Sequence, residues 1–326
     1  MQLSDLISFA EQRQASDLHL SSNQPPRIRI DNTLEGIGAV NLSHDLLVSF
    51  IEQLLTPEQK THLLQHKYLD VAVPLTGQKR GRVNIFMHHR GIGIAIRLIY
   101  PHLPLLEQSP NFSTLKRLLS APQGLLLITG ATGSGKSTTL NSMVDFINRH
   151  EMQHILMLED PIEYVHQSKQ ALLHQRERGL HFNSFATGIK NALREDPDIL
   201  VIGELRDQNS LRYALIAAET GHLVLATLHA NGAAKALDRI IETFPAEEQP
   251  LIRLLLAENL VGILYQTLIP KTKGPGRLPI QEILLASPAI KNLIREHKIP
   301  QIEASMETSQ ELGMQTLAQA LRKVSL

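Results

Sequence analysis

GLLLITGATGSGKSTT, residues 124–139, passes from an unbroken apolar run through a glycine-rich turn into a helical pattern. Gly130, Gly135, Lys136 and Ser137 meet the spacing G-x-x-x-x-G-K-[ST], with Ala131, Thr132, Gly133 and Ser134 between them and Thr138 just after. The chemistry behind that spacing is specific. Glycines let the loop turn its backbone N–H groups inward onto phosphate oxygens, the lysine reaches the β- and γ-phosphates, and the serine hydroxyl coordinates Mg2+. Leu140, Met143, Val144 and Ile147 give a helical stripe, so a helix N-terminus adds its dipole to phosphate binding. A chance glycine-rich turn has no reason to lie between a buried strand and a helix. The stretch is therefore read as a nucleoside-triphosphate loop formed by Gly130 to Thr138.

Three more apolar runs follow, separated by helical patterns: ILML (155–158), ILVIG (199–203) and HLVLATL (222–228). Continuous apolar strands imply burial on both faces, hence a parallel α/β sheet. Ligands of such sheets bind at the carboxyl ends of the strands, and each run ends in chemistry. The first of the three leads into Glu159, Asp160 and Glu163, with no Lys or Arg anywhere in residues 155–166. Pro161 disfavours a helical conformation at Asp160, so all three acids are expected on a loop. Loop acids beside a triphosphate need a metal, water or arginine between, so Mg2+ and an arginine from a neighbouring subunit are expected. The second run ends in Glu204, the form of a Walker B acid placed near Mg2+ or its bound water; the alternative is a strand-end acid paired with Arg206. The third ends in His229. His222 and His229 are an odd number of residues apart, so a regular strand turns them to opposite faces. That argues against a shared metal. Its location at the carboxyl end makes His229 a candidate γ-phosphate sensor, while His222, at the opposite end, is read as structural or inter-domain.

Residues 1–100 mix short elements into an α+β module. Leu42, Leu46, Leu47, Phe50, Ile51, Leu54 and Leu55 mark an amphipathic helix, and DLHLSS, PRIRID, LDVAVPL, GRVNIFMHHRG and IGIAIRLI read as strands. Arg82, Arg90 and Arg97 in these strands are candidate sources of positive charge for a phosphate site. Residues 101–111, rich in proline, form the expected linker; 112–270 form the nucleotide-binding domain, with a long helical region from about 232 to 268; 271–326 are expected to be a helical C-terminal segment that opens on the polar loop PKTKGPGR (270–277).

Composition narrows the classes. Lys plus Arg and Asp plus Glu are 32 each, and aromatic residues are 4% of the 326, which speaks against a nucleic-acid translocase. With no cysteine, disulfides and cysteine-ligated metal are excluded. The N-terminus has no signal-peptide pattern, and no apolar run approaches 18 residues. A soluble, cytoplasmic chain is expected, with membrane association only through a partner.

Taken together, the motifs resemble those of the secretion and type IV pilus ATPase superfamily. GATGSGKSTT is similar to its Walker A element, LEDPIEY to its aspartate box, REDPDILVIGELRD to its Walker B region and TGHLVLATLHAN to its histidine box. ASDLHL and GRVNIFMHHRG extend the likeness to the first domain. Short length, the missing four-cysteine element and AIKNLIRE (289–296) resemble the PilT-like retraction-motor branch, where AIRNLIRE is usual; Lys291 departs from it, and so does LHAN from LHTT or LHTN. The resemblance implies a homohexameric ATPase, each subunit a PAS-like α+β domain followed by a RecA-like P-loop domain, that works on an inner-membrane platform protein. It implies Glu163 as general base, Glu159 as a helper on metal or water, and Asp160 as organiser of the turn. It further implies Glu204 acting through Mg2+, Ser137 as a metal ligand, and Arg82 and Arg97 reaching the nucleotide. A regulatory paralogue with little activity, or an extension or secretion motor, are the alternatives.

Overall fold

Alternating apolar and polar residues build the first unit of the chain, residues 1–102 with Pro161–Val165. The computed structural model describes residues 2–31, 33–75, 80–99, 103–271 and 276–324. In chain order the first unit holds α1 (Leu3–Gln12), β1 (Asp17–Ser21), β2 (Arg27–Ile30), β3 (Thr33–Gly36), α2 (His44–Leu54), α3 (Pro57–His66), β4 (Tyr68–Pro74), β5 (Arg80–His88) and β6 (Gly91–Ile99). The strands form an antiparallel sheet in the order β3-β2-β1-β6-β5-β4. One face buries Leu18, Leu20, Val83, Ile85, Ile94 and Ile96 against Leu47, Phe50 and Ile51 of α2 and Leu3, Leu6 and Ile7 of α1. Helix α3 answers to a local signal: Thr56 accepts from Gln59 N–H, Gln59 accepts from Thr56 N–H, and Pro57 occupies the first turn.

The second unit holds α4 (Phe112–Leu119), β7 (Gly124–Thr129), α5 (Lys136–His150), β8 (His154–Glu159), β9 (Leu172–Glu177), α6 (Phe185–Ala192), β10 (Ile199–Ile202), α7 (Gln208–Glu219), β11 (Leu223–Leu228), α8 (Ala233–Glu242), α9 (Gln249–Asn259), β12 (Leu260–Pro270), β13 (Arg277–Leu285), α10 (Pro288–Arg295), α11 (Ile302–Thr308) and α12 (Leu317–Val324). Its sheet runs β13-β12-β7-β11-β10-β8-β9, parallel except for the edge pair β12–β13. Alternate residues of one strand go to opposite layers. Leu125 and Leu127 pack towards α6 to α9, while Leu126 and Ile128 pack towards α4 and α5. Burial on both faces explains why these strands read as unbroken apolar runs. The α/β expectation holds.

Several boundaries differ from the sequence reading. The region 232–268 is two helices and then a strand, β12. LVGILYQTLI follows α9 with a lone Gly262 as its only break, so periodicity alone does not separate it from the helix. The C-terminal segment begins with β13 rather than a helix, because Leu278 to Leu285 completes the ladder that β12 opens. Edge strand β9 shows no apolar run and went unrecognised. Leu106, within the expected linker, is buried with the second unit. Linker residues 101–102 and loop residues 272–275 lie outside the described residues.

Candidate nucleotide-binding site

Register brings the strand ends together. Leu228 lies beside Thr129, and Ile202 lies beside both Ala226 and Leu158. The residues that follow β7, β11, β10 and β8 therefore emerge along one rim of the second unit.

The loop after β7 has the backbone that its glycines allow. Gly130, Gly133 and Gly135 have φ of 149°, 76° and 83°, and Gly135 caps α5. At Gly130 a Cβ would stand 2.4 Å from the Gln266 carbonyl oxygen and 2.5 Å from Ser134 Oγ, so only glycine fits. The Lys136 ammonium is buried and donates to the carbonyls of Gly130 and Ala131, both at 2.8 Å. Burial lowers its pKa, and nearby Glu204 opposes that shift. Ser134 Oγ is buried without a partner, and the Ser137 side chain is exposed. A cationic amine turned inward, an unpaired buried hydroxyl and a helix N-terminus together suit an incoming polyphosphate. Among the described residues no three His, Asp or Glu side chains converge as a protein-only metal cage. The oxygen donors Ser137 and Glu204 instead suit Mg2+, which retains waters and binds largely through substrate phosphates.

Glu204 is half-buried and held from two sides. His229 Nε2 lies 3.0 Å from its Oε1, and Arg206 donates to its Oε2 at 2.6 Å. Thr227 braces the same turn by donating its hydroxyl to Gly203 O at 2.5 Å and accepting from Leu205 N–H at 2.9 Å. Both readings of Glu204 thus have a geometric counterpart: it pairs with Arg206 and also joins the histidine of the next strand. His222 accounts for itself structurally, with Nδ1 3.0 Å from Ala217 O.

The aspartate-box acids separate. Glu159 is not on a loop. It is the last residue of β8, buried, and accepts from Gln175 Nε2 at 2.8 Å. Pairing with β9 extends the strand one residue past the apolar run. Asp160 meets Arg178 at 3.3 Å. Glu163 belongs to Pro161–Val165 of the first unit, so the second unit by itself assembles Gly130 to Thr138, Glu159, Glu204 and His229. Arg82 and Arg97 belong to the first unit. They stand opposite one another across β5 and β6, a like-charge pair that would repel but for Asp70, bound to Arg82 at 2.6 Å, and Asp17, bound to Arg97 at 3.1 Å.

Sequence reading missed three contributors. Gln266 of β12 is buried, donates to Ser134 O at 2.7 Å and accepts from the Thr139 hydroxyl at 2.8 Å. Lys235 and Arg239, one turn apart on α8, line a cavity of about 390 Å3 with Gly130, Ala131, His229 and Asn231. Their spacing on a helix just after the histidine box was the available signal.

The Type II/IV secretion system protein family matches residues 2–325. The type IV pilus retraction ATPase of Pseudomonas aeruginosa is 43% identical over 99% of this chain and 93% of its own. An uncharacterized Escherichia coli protein, YggR, is 44% identical over 98% of this chain and 97% of its own. Among solved structures, the pilus retraction motor PilT with bound ADP superposes with a TM-score of 0.88 at 37% identity, over 99% of this chain and 92% of that one.

Proposed function

Since this chain belongs to the Type II/IV secretion system protein family, we propose that it is a Mg2+-dependent, homohexameric ATPase motor that retracts a type IV pilus. The observation that carries the reading is a phosphate loop flanked by Glu159, Glu204 and His229 at adjoining strand ends. A relative named as a retraction ATPase matches nearly the whole chain.

In this reading the backbone N–H groups of Gly130 to Thr138 and the Lys136 ammonium hold the β- and γ-phosphates. Ser137 and Glu204 would hold Mg2+, which when bound would supply positive charge against the phosphate oxygens. Glu163 takes the proton of the attacking water and Glu159 supports it. His229, through its pair with Glu204, senses the γ-phosphate. Arg82 and Arg97 exchange their carboxylate partners for nucleotide, which supplies the arginine that the phosphate loop itself lacks. Hydrolysis then drives work on an inner-membrane platform protein, with the motor at the cytoplasmic face and no direct role for nucleic acid.

The test is steady-state ATP turnover by wild type, Lys136→Ala and Glu163→Gln, with Glu159→Gln to rank the two acids. Wild type should turn over, and Lys136→Ala and Glu163→Gln should each lose at least about 100-fold. Turnover that both variants retain would sink the site assignment. ATP binding without turnover by wild type would favour a nucleotide-gated regulatory subunit.

A further inference from the structure

Gln175, on an edge strand that no motif marks, joins two residues that flank the aspartate-box segment. Its Nε2 donates to Glu159 Oε1 at 2.8 Å, and its Oε1 accepts from the His166 backbone N–H at 2.8 Å. Glu159 and His166 are the second unit's residues on either side of Asp160 and Pro161–Val165. One amide side chain therefore fixes the carboxylate at the end of β8 and the point at which the chain returns.

The path continues to the phosphate loop. His166 Nε2 lies 2.7 Å from Asn141 Oδ1, and Asn141 Nδ2 donates to Ser137 O at 2.9 Å. Polarity along this path is determined. Because the Asn141 amide nitrogen is spent on a carbonyl, its oxygen must accept, and His166 must carry its proton on Nε2. Burial lowers the His166 pKa, which favours the neutral ring. Asn141 is buried, as is Glu159, so the hydrogen bonds at both ends of the path are sheltered from competing water.

We propose that Gln175 is a positioning residue for ATP hydrolysis: it aims the Glu159 carboxylate and, through His166 and Asn141, ties that acid to the Ser137 turn of the phosphate loop. This rests on the ATPase reading above. Small displacements of a reacting group cost large factors in rate, and the bonds that a carboxylate accepts help to fix its angle.

The experiment compares full-length wild type, Gln175→Met and Gln175→Glu by steady-state ATP turnover across pH, and by hydrogen exchange at the His166 amide. Gln175→Met removes both bonds at nearly constant volume. Its kcat should fall about 10- to 100-fold, with KM for ATP changed less than about threefold, and the His166 amide should exchange faster. Gln175→Glu keeps the acceptor for His166 but sets a second carboxylate against Glu159. Its exchange should match wild type, and its kcat relative to wild type should rise as pH falls, because the protonated carboxyl regains a donor. A merely structural role gives a ratio that is flat with pH. A methionine variant within about twofold of wild-type kcat, or a flat ratio for the glutamate variant, overturns the proposal. Wild type without turnover overturns the ATPase reading instead; exchange then decides the strut, faster in Gln175→Met supporting it and unchanged exchange overturning it. If Gln175→Met does not fold, the pH dependence of kcat in Gln175→Glu carries the test.

Discussion

Gln266 shows what a single residue does here that its neighbours in sequence do not announce. Its amide is only 1% exposed and serves three partners: Ser134 O, the Thr139 hydroxyl and, at 2.9 Å, the Gln281 amide. Those bonds pin both sides of the phosphate-loop turn to β12. Gln266→Leu keeps the volume but strands buried polar groups on the loop, on α5 and on β13. It should cost about 2–4 kcal/mol in urea unfolding and weaken ATP binding in titrations; stability equal to wild type would show that the loop does not depend on this brace. A lone glutamine in LYQTLI carries no motif. Only the parallel pairing of β12 with β7 brings it to residue 134, whereas Gly130, Lys136 and Ser137 lie within one turn of chain and are recognisable from spacing alone. Glu159 is a similar case. Its place after an apolar run made it a candidate site acid, but its burial followed from β9, which has no pattern of its own.

Among the elements, α5 carries the phosphate loop at one end and an ion-pair network at the other. Arg149 binds Glu107 at 2.7 Å and Asp145 at 2.8 Å, and Lys169 also binds Asp145 at 2.7 Å. The Arg149 bond holds Glu107 below the ordinary carboxylate range. At Asp145 burial pushes the pKa up, and the bonds from Lys169 and Arg149 outweigh it to leave a net lowering. Arg149→Met should lose about 1 kcal/mol, since the network is partly exposed. The sign with pH follows from linkage. Carboxylates with depressed folded pKa values stabilise the fold above their unfolded pKa and lose that contribution as pH falls through the folded value. The gap in melting temperature between wild type and Arg149→Met should thus be widest near neutral pH and close in acid; a gap independent of pH would mean that Arg149 acts by packing. Glu107 lies in the stretch whose prolines mark a linker. Its capture by α5 depends on two residues far apart in sequence, and so has no local signature.

At the scale of the molecule, no helix among the described residues is long and apolar enough to cross a membrane. In a piliated host, deleting the gene should leave excess surface fibres by microscopy, and a Lys136→Ala copy should not restore the wild-type number. Missing fibres would assign the motor to assembly instead. The sequence by itself determined that this chain has a parallel α/β core with a phosphate loop, because strands buried on both faces must be apolar throughout and because a loop that cradles phosphate needs glycine, lysine and serine at fixed short spacing. It also located Glu204 and His229, since acids and histidines at strand carboxyl ends follow directly on runs that burial makes visible. Tertiary structure alone decided that β12 and β13 close one edge and β9 the other, that Glu159 is buried, and that Gln175 and Gln266 brace the site. Those outcomes rest on hydrogen bonds between residues remote in the chain, which leave no period or spacing in the sequence to read.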